Sequence, residues 1–114
     1  MIYEIRNYHF DPDGVEEYKI WARERAIPYL STHVTVVGFW ADCGIETELR
    51  GEPLDALGPA TVTWIIRWDS HEQRQSQLPG ILATDEWKGI FAHVPGGASS
   101  YRRIECRFFE AVEA

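Results

Sequence analysis

Four short stretches of the chain combine alternating positions with many β-branched and aromatic residues, and this pattern predicts β-strands. The stretches cover residues 2–10, 34–41, 60–69 and 101–111. In the first stretch neither alternating face is cleanly polar, so we expect it to be a central strand. Gly38, inside the second stretch, predicts a bulge or the close approach of another group.

The first helical period follows the first strand. Asp13 and Glu16 have the spacing of a capping box, which predicts a helix from there to about residue 31. Pro28 lies inside this helix and is expected to kink or loosen its last turn. Residues 43–59 contain three Gly and two Pro without a sustained period, which predicts a long irregular loop between the second and third strands.

A second capping spacing, from Ser70 to Gln73, predicts a helix that begins at about Ser70. We expect this helix to be interrupted near Pro79 and Gly80, and a short further helix to cover residues 84–92. The element order then predicts an α+β fold of the ferredoxin-like type, a β-α-β-β-α-β sandwich with both helical segments on one sheet face.

The other sheet face would be left uncovered in this arrangement. The predicted strands show little polar alternation, so that face would expose a large apolar patch, which monomers in water avoid. We therefore predict a homodimer in which two sheets pair face to face. The 114 residues suffice for one domain over 1–114, and 45% apolar with 25% charged residues is an ordinary globular composition.

Charge and cysteine content exclude several classes of partner. The net charge of −7 disfavours nucleic acids and anionic membrane surfaces. Cys43 and Cys106 form no metal-binding spacing, so we expect no metal site. The first residues enter a strand pattern without a basic and then apolar leader, and we expect a cytoplasmic protein with reduced thiols.

Two polar residues of the first strand are candidates for a site. Arg6 and Tyr8 share one strand face, so both could point into a cavity and serve a ligand that carries a carboxylate or an enolate. Tyr8 would donate a hydrogen bond or a proton, as a catalytic residue, and Arg6 would stabilise negative charge. The alternative is a buried Arg6 held by Glu4 or Asp69, with Tyr8 packed in the core.

Histidines are the other candidates, because imidazole titrates near neutral pH. His33 lies where the first helix meets the second strand and could act in catalysis at a cavity rim; otherwise it caps the helix or meets solvent. His9 and His71 are expected at the surface. His93 precedes Pro-Gly-Gly and is conceivable as a haem ligand, but a lone histidine has no spacing signature, and we expect no cofactor.

Tryptophans suggest an aromatic ligand. Aromatic residues make up 13% of the chain. The five indole rings could line a pocket or could belong to the core and the dimer contact; they are those of Trp21, Trp40, Trp64, Trp68 and Trp87. The chain has no phosphate-binding glycine loop, no nucleophile elbow and no acidic pair at metal-binding spacing, so its side chains would support cofactor-free proton transfer.

Several blocks of the sequence together resemble the NIPSNAP family across nearly the whole chain. The blocks are Arg6-x-Tyr8, Pro12 at a helix start, Gly38-Phe39-Trp40, the Trp-rich third strand leading to Asp69-Ser70 with Arg74, and Asp85-Glu86-Trp87. We add Arg74 to the candidate ligand-binding residues. The loop over 43–59 departs from the family pattern.

This resemblance implies the dimeric α+β barrel superfamily, in which a cavity often lies between sheet and helices. Relatives there include cofactor-independent monooxygenases, polyketide cyclases, lactone isomerases and haem-binding enzymes. The sequence therefore favours a small-molecule binding domain or a cofactor-independent enzyme of isomerase, cyclase or monooxygenase type acting on an aromatic or polyketide-like substrate. The rival interpretation is a non-catalytic dimeric protein-interaction module.

Overall fold

The computed structural model describes residues 1–113. Four strands form one sheet: β1 (Ile2–His9), β2 (Thr35–Ala41), β3 (Val62–Trp68) and β4 (Arg103–Phe109). The helices are α1 (Val15–Trp21), α2 (Ile27–His33), α3 (His71–Ile81) and α4 (Asp85–Phe91). Short 3₁₀ turns cover Pro12–Gly14 and Ala98–Ser100.

The sheet has the order β2-β3-β1-β4, and each neighbouring pair is antiparallel. β1 and β3 are therefore the central strands, as predicted for β1. Each half of the chain crosses over from one strand to a non-adjacent strand through helices, which gives the ferredoxin-like α+β arrangement predicted from the element order. The four strands agree with the predicted stretches to within two residues at either end.

The first helix differs from its prediction at both ends. Its entry is capped by Asp11, whose carboxylate accepts a hydrogen bond from the Asp13 backbone N–H at 3.0 Å, so the predicted capping box at Asp13 is wrong. The helix then runs without interruption through α1, a π-helical segment (Ala22–Ala26) and α2 to His33. The wider π turn precedes Pro28 and removes the clash that a proline ring makes with the preceding turn of an α-helix.

The third helix begins as predicted, with the Ser70 hydroxyl accepting a hydrogen bond from the Gln73 backbone N–H at 3.1 Å. The Gln73 side chain in turn accepts from the Asp69 backbone N–H at 2.6 Å, which completes a reciprocal cap. The helical run is interrupted near the predicted place: α3 continues through Pro79 and Gly80 but ends at Ile81, and α4 begins at Asp85, in agreement with the short helix predicted over 84–92. Pro79 removes one hydrogen bond close to the end of the helix, which the helix tolerates.

Strand β2 carries the irregularity predicted at Gly38. Its register against β3 shifts between Val36 and Gly38, which places one extra residue in β2. A Cβ atom at Gly38 would lie 2.3 Å from the ring of Trp40, so a larger residue there would have to displace that indole. Both predicted roles of Gly38 are confirmed.

The core lies between the sheet and the helices. β3 presents Val62, Trp64, Ile66 and Trp68 to this layer, and all four are buried. β1 contributes Glu4 and Tyr8 opposite them, since Glu4 pairs with Ile66 and Tyr8 with Val62. Tyr18, Trp21, Tyr29 and Leu30 of the first helix close the layer from above.

The outer sheet face is more polar than the sequence pattern predicts. Its central apolar residues are Ile5 and Ile65, which pair directly, flanked by Tyr3 and Phe109. Between them lie the polar side chains of Asn7, Thr63, Arg67, Arg103, Glu105 and Arg107. This face is therefore a mixed surface with an apolar centre and not one continuous apolar patch.

The segment between β2 and β3 has no helix or strand, in agreement with the predicted loop. An ion pair of 2.7 Å between Asp55 and Arg103 links it to β4. Across residues 1–113, none of the helices is both long and apolar enough to cross a membrane.

Candidate functional site

A cavity of about 350 Å³ lies between the helix-covered face of the sheet and the four helices. Its walls are apolar and aromatic apart from a few polar groups. Five of the candidate residues line it: Arg6, Tyr8, Trp21, Trp64 and Trp87. Strands β1 and β3 position the first, second and fourth, and the helices position the other two.

Eight aromatic side chains line this cavity and contact one another as one cluster. In order they are Tyr8, Trp64, Phe39, Tyr18, Trp21, Trp87, Phe91 and Tyr101. Neighbouring ring centroids lie 5.2 to 6.5 Å apart, within the range of favourable aromatic pairs. Tyr8 and Trp64 are joined by a hydrogen bond in which the indole N–H donates to the phenol oxygen at 2.8 Å. Further contacts at 6.3 Å link Tyr18 to Tyr101 and Trp21 to Phe91.

A buried carboxylate organises the polar end of the cavity. Glu4 is 0% exposed, and each of its oxygens accepts two hydrogen bonds. Oε1 accepts from Trp68 Nε1 and Arg74 Nε, both at 3.0 Å. Oε2 accepts from Arg6 Nη1 at 2.7 Å and from Arg74 Nη2 at 3.0 Å. Burial alone would raise the pKa of Glu4, but the hydrogen bonds from Arg74 and Arg6 outweigh burial and hold it below its usual range.

Arg6 and Tyr8 are joined directly, since Arg6 Nε donates to the Tyr8 hydroxyl at 2.9 Å. With the Trp64 indole, the phenol oxygen thus accepts two hydrogen bonds. Within residues 1–113, the hydrogen of the Tyr8 hydroxyl has no acceptor. Burial alone would lower the pKa of Arg6, but Tyr8, Cys106 and Glu4 raise it, so the guanidinium stays charged.

Two further phenols face the cavity. The Tyr101 hydroxyl donates to the Tyr18 hydroxyl at 3.1 Å. Burial raises the pKa of Tyr18 above its ordinary value and raises the pKa of Tyr101 to about 12. Burial likewise raises the pKa of the Cys106 thiol, which accepts from Arg6 Nη1 at 3.1 Å. All three groups are therefore neutral at pH 7.

Two candidate residues lie behind the polar end and not in the cavity. Both side chains donate to Glu4 instead, Trp68 through one hydrogen bond and Arg74 through two. Arg74 also lies over the ring of Phe108, with its guanidinium carbon 5.3 Å from the ring centroid. The sequence left two alternatives for Arg6, a place in a cavity or burial beside an acidic residue. The structure combines them, because Arg6 lines the cavity and also pairs with Glu4.

Trp40 and His33 are placed away from the other candidates. Trp40 lies on the outer sheet face, opposite Thr63, and is 52% exposed. His33 is exposed at the end of α2, with its ring centroid 4.3 Å from that of Tyr29. Neither lines the aromatic cavity, so His33 does not share a site with Tyr8.

The remaining histidines lie apart from the aromatic cavity. His71 and His93 are exposed, as expected for His71, and neither lines the cavity. His9, expected at the surface, is 8% exposed and its Nδ1 atom is buried without a partner. In the part of the chain that the structure describes, no three His, Cys, Asp or Glu side chains come together to hold a metal ion.

Sequence reasoning did not single out several residues that line the cavity. These are mainly Tyr18, Phe39, Phe91, Tyr101, Leu78, Leu82 and Ile104. Tyr18 stands three residues before Trp21 on the apolar stripe of a helix, a spacing that could have grouped the two rings. Tyr101 precedes its strand in an irregular segment, where no period predicts its direction.

The chain matches no protein-family model, and it matches no curated protein. Solved structures do match, among them several NIPSNAP domain proteins. An uncharacterised NIPSNAP domain protein from Burkholderia xenovorans shares 14% identity with a TM-score of 0.73, over 97% of this chain and 94% of the other.

Two more distant matches carry related descriptions. An antibiotic biosynthesis monooxygenase shares 13% identity with a TM-score of 0.56, over 99% of this chain and 100% of the other. A dimeric ferredoxin-like protein of unknown function from Thermobifida fusca YX shares 14% identity with a TM-score of 0.55, over 96% of this chain and 90% of the other. The chain therefore has the fold of the NIPSNAP domain proteins, the family that its sequence blocks resemble.

Proposed function

We propose that this protein binds a small, flat aromatic molecule in the cavity between its sheet and its helices. The single observation that carries the proposal is the set of eight aromatic side chains that line about 350 Å³ of space. Ligand sites in proteins commonly enclose about 300 to 1,000 Å³ and are lined by apolar and aromatic side chains with a few polar groups. Rings at several orientations offer both stacking and edge contacts to a planar ligand.

The polar end of the cavity gives such a ligand an orientation. Tyr8 directs its free hydroxyl hydrogen to an acceptor on the ligand, while Arg6 and Trp64 hold the phenol oxygen in place. A ligand bearing an oxygen atom on an aromatic system would place that oxygen at Tyr8 and its rings among the indoles.

Binding is better supported than proton abstraction. Among residues 1–113, no carboxylate or imidazole lines the cavity, so no ordinary general base faces the ligand. A cofactor-independent enzyme of the isomerase, cyclase or monooxygenase type would require a substrate that ionises by itself, with Tyr8 and Arg6 stabilising the resulting oxyanion. The fold is similar to that of an antibiotic biosynthesis monooxygenase, so an aromatic or polyketide-like compound remains the candidate substrate of such an enzyme.

The rival interpretation, a non-catalytic dimeric interaction module, leaves the cavity without a purpose. In a protein that only binds other proteins, the aromatic rings would stabilise the fold most by filling the interior, because voids among large side chains destabilise a core.

We also propose that the protein forms a homodimer through the outer sheet face. The apolar centre at Ile5 and Ile65, with the half-exposed Trp40, supports pairing, and one protein of the same fold is dimeric. A cytoplasmic location agrees with the free thiols of Cys43 and Cys106.

Blocking the cavity tests the binding function. Ile104 lines the cavity but is more than half exposed on β4, so Ile104→Trp can narrow the cavity without overpacking the core. Ile45→Trp is the matched control, since Ile45 is exposed in the β2–β3 loop. Equilibrium dialysis with 2-naphthol should give saturable binding to the wild type and to Ile45→Trp, and at least about tenfold weaker binding to Ile104→Trp. Equal binding by the two variants, or no binding by the wild type, would contradict the proposal.

A further inference from the structure

At Arg6 and Tyr8, the polar end of the cavity offers hydrogen-bond donors, while the Tyr8 oxygen is already occupied as an acceptor. Arg6 Nε and Nη1 are bonded to Tyr8, Glu4 and Cys106, whereas Nη2 makes no hydrogen bond to residues 1–113. In the same part of the chain, the one buried side-chain nitrogen or oxygen without a partner is His9 Nδ1, so Nη2 keeps access to the cavity or to solvent. Beside it stands the free hydrogen of the Tyr8 hydroxyl, whose oxygen already accepts twice.

The charges of this cluster do not cancel. Glu4 is the one carboxylate among two guanidiniums, those of Arg6 and Arg74, and its four acceptor positions are all occupied. The Cys106 thiol beside Arg6 is neutral, because burial raises its pKa. One positive charge therefore remains, at the end of an apolar cavity where a lone charge is poorly solvated.

These two observations together select the charge of the ligand. We infer that the cavity takes its aromatic ligand as a monoanion, with a carboxylate or an aromatic or enolic oxyanion accepting from Arg6 Nη2 and the Tyr8 hydroxyl. The inference rests on the proposed binding function and adds the ligand class. Arg74 is then a positioning residue. Because Arg74 also pairs with the Glu4 carboxylate, the negative charge of Glu4 is shared between two guanidiniums and does not fully neutralise Arg6.

The net charge of the whole chain does not oppose this preference. The chain carries −7, but charges on its surface are screened over about 8 Å at physiological ionic strength. Lys88 lines the cavity and is exposed, so it places a second positive charge at the rim, on the path of an entering anion. The cavity is locally positive within an acidic protein.

A pair of probes of the same shape tests the inference without any variant. 2-Naphthoate and 2-naphthamide share their ring system, but only the former carries a charge. NMR titrations of the wild-type protein at pH 7 should give a dissociation constant for naphthoate at least about tenfold below that for naphthamide, the scale of a charge-assisted hydrogen bond. Equal affinities would overturn the inference and leave the binding function standing; failure of both probes and of 2-naphthol to bind would overturn the binding function itself.

Variants locate the source of the preference. Arg6→Met and Arg74→Met should each weaken naphthoate more than naphthamide, so that the roughly tenfold preference for naphthoate is lost. Arg67→Met is the matched control, since Arg67 is exposed on the outer sheet face, and both affinities should be unchanged. A parallel loss of both probes in Arg74→Met would contradict the positioning role, because a merely structural residue affects both ligands alike. An undiminished preference for naphthoate in Arg6→Met would contradict the assignment of Arg6.

Discussion

Replacing Glu4 by glutamine is the sharpest perturbation of the network beneath the cavity. The amide must put its NH₂ group where either Oε1 or Oε2 now accepts. At Oε1 it would face Trp68 Nε1 and Arg74 Nε; at Oε2 it would face Arg6 Nη1 and Arg74 Nη2. Either way two buried hydrogen bonds are lost, donors face donors, and two guanidiniums remain without a carboxylate.

Breaking a buried ion pair by removing one partner costs about 3 to 5 kcal/mol. For a chain of this length, about 4 °C of melting temperature corresponds to 1 kcal/mol, so Glu4→Gln should lower the melting temperature by about 12 to 20 °C. Glu16→Gln is the matched control. Glu16 is exposed and pairs with Lys19 at 2.9 Å, so its loss should change stability by about 0.5 kcal/mol or less.

The pH dependence of this difference has a defined sign. The folded pKa of Glu4 is lowered below its unfolded value of about 4.3, so its stabilisation is fully present above that pH and is lost as pH falls through the folded pKa. Thermal melts monitored by circular dichroism should show the full gap between wild type and Glu4→Gln at pH 7, narrowing below about pH 4. A Glu4→Gln variant no less stable than Glu16→Gln would refute the reasoning.

Three further predictions concern other contacts of the fold. Tyr8→Phe leaves Arg6 Nε and Trp64 Nε1 without their acceptor, so chemical denaturation should show a loss of about 1 to 3 kcal/mol; no loss would contradict the hydrogen bonds drawn to this phenol. Pro79→Ala restores a backbone donor at an exposed position inside α3 and should raise the melting temperature by a few degrees, whereas a lower melting temperature would show that the proline ring itself is needed there. Sedimentation velocity at micromolar concentration should give a dimer for the wild type and for Ile20→Lys on the exposed side of α1, but a monomer for Ile65→Lys; a monomeric wild type would refute the dimer proposal.

The sequence predicts those parts of the fold that depend on local pattern. Alternation and β-branched residues predicted all four strands, and the Ser70 cap was predicted because a hydroxyl and a glutamine at fixed spacing satisfy the same backbone donors in any helix. The two prolines show how far local pattern reaches. It predicted a loosened turn at Pro28 and a break near Pro79, but not that the loosened turn would be a π-helical segment before Pro28 or that α3 would continue to Ile81.

The candidate site could be predicted only in part. Arg6 and Tyr8 were identified because alternation along one strand fixes their common face. The five tryptophans could not be sorted in the same way, since Trp64 and Trp68 share a strand face but only Trp64 reaches the cavity, while Glu4 engages Trp68. Trp40 lies on the outer face because the bulge before Gly38 shifts the alternation of β2, and such a shift depends on the partner strand.

The indole N–H signals of the protein test the central claim, that an aromatic ligand enters the cavity. A ¹⁵N-edited NMR spectrum resolves these groups, which can be assigned by single Trp→Phe variants. Adding 2-naphthoate should shift the signals of Trp21, Trp64 and Trp87, which line the cavity, and leave that of Trp40 on the outer sheet face unchanged. Shifts confined to Trp40, or no shifts at saturating naphthoate, would contradict the account.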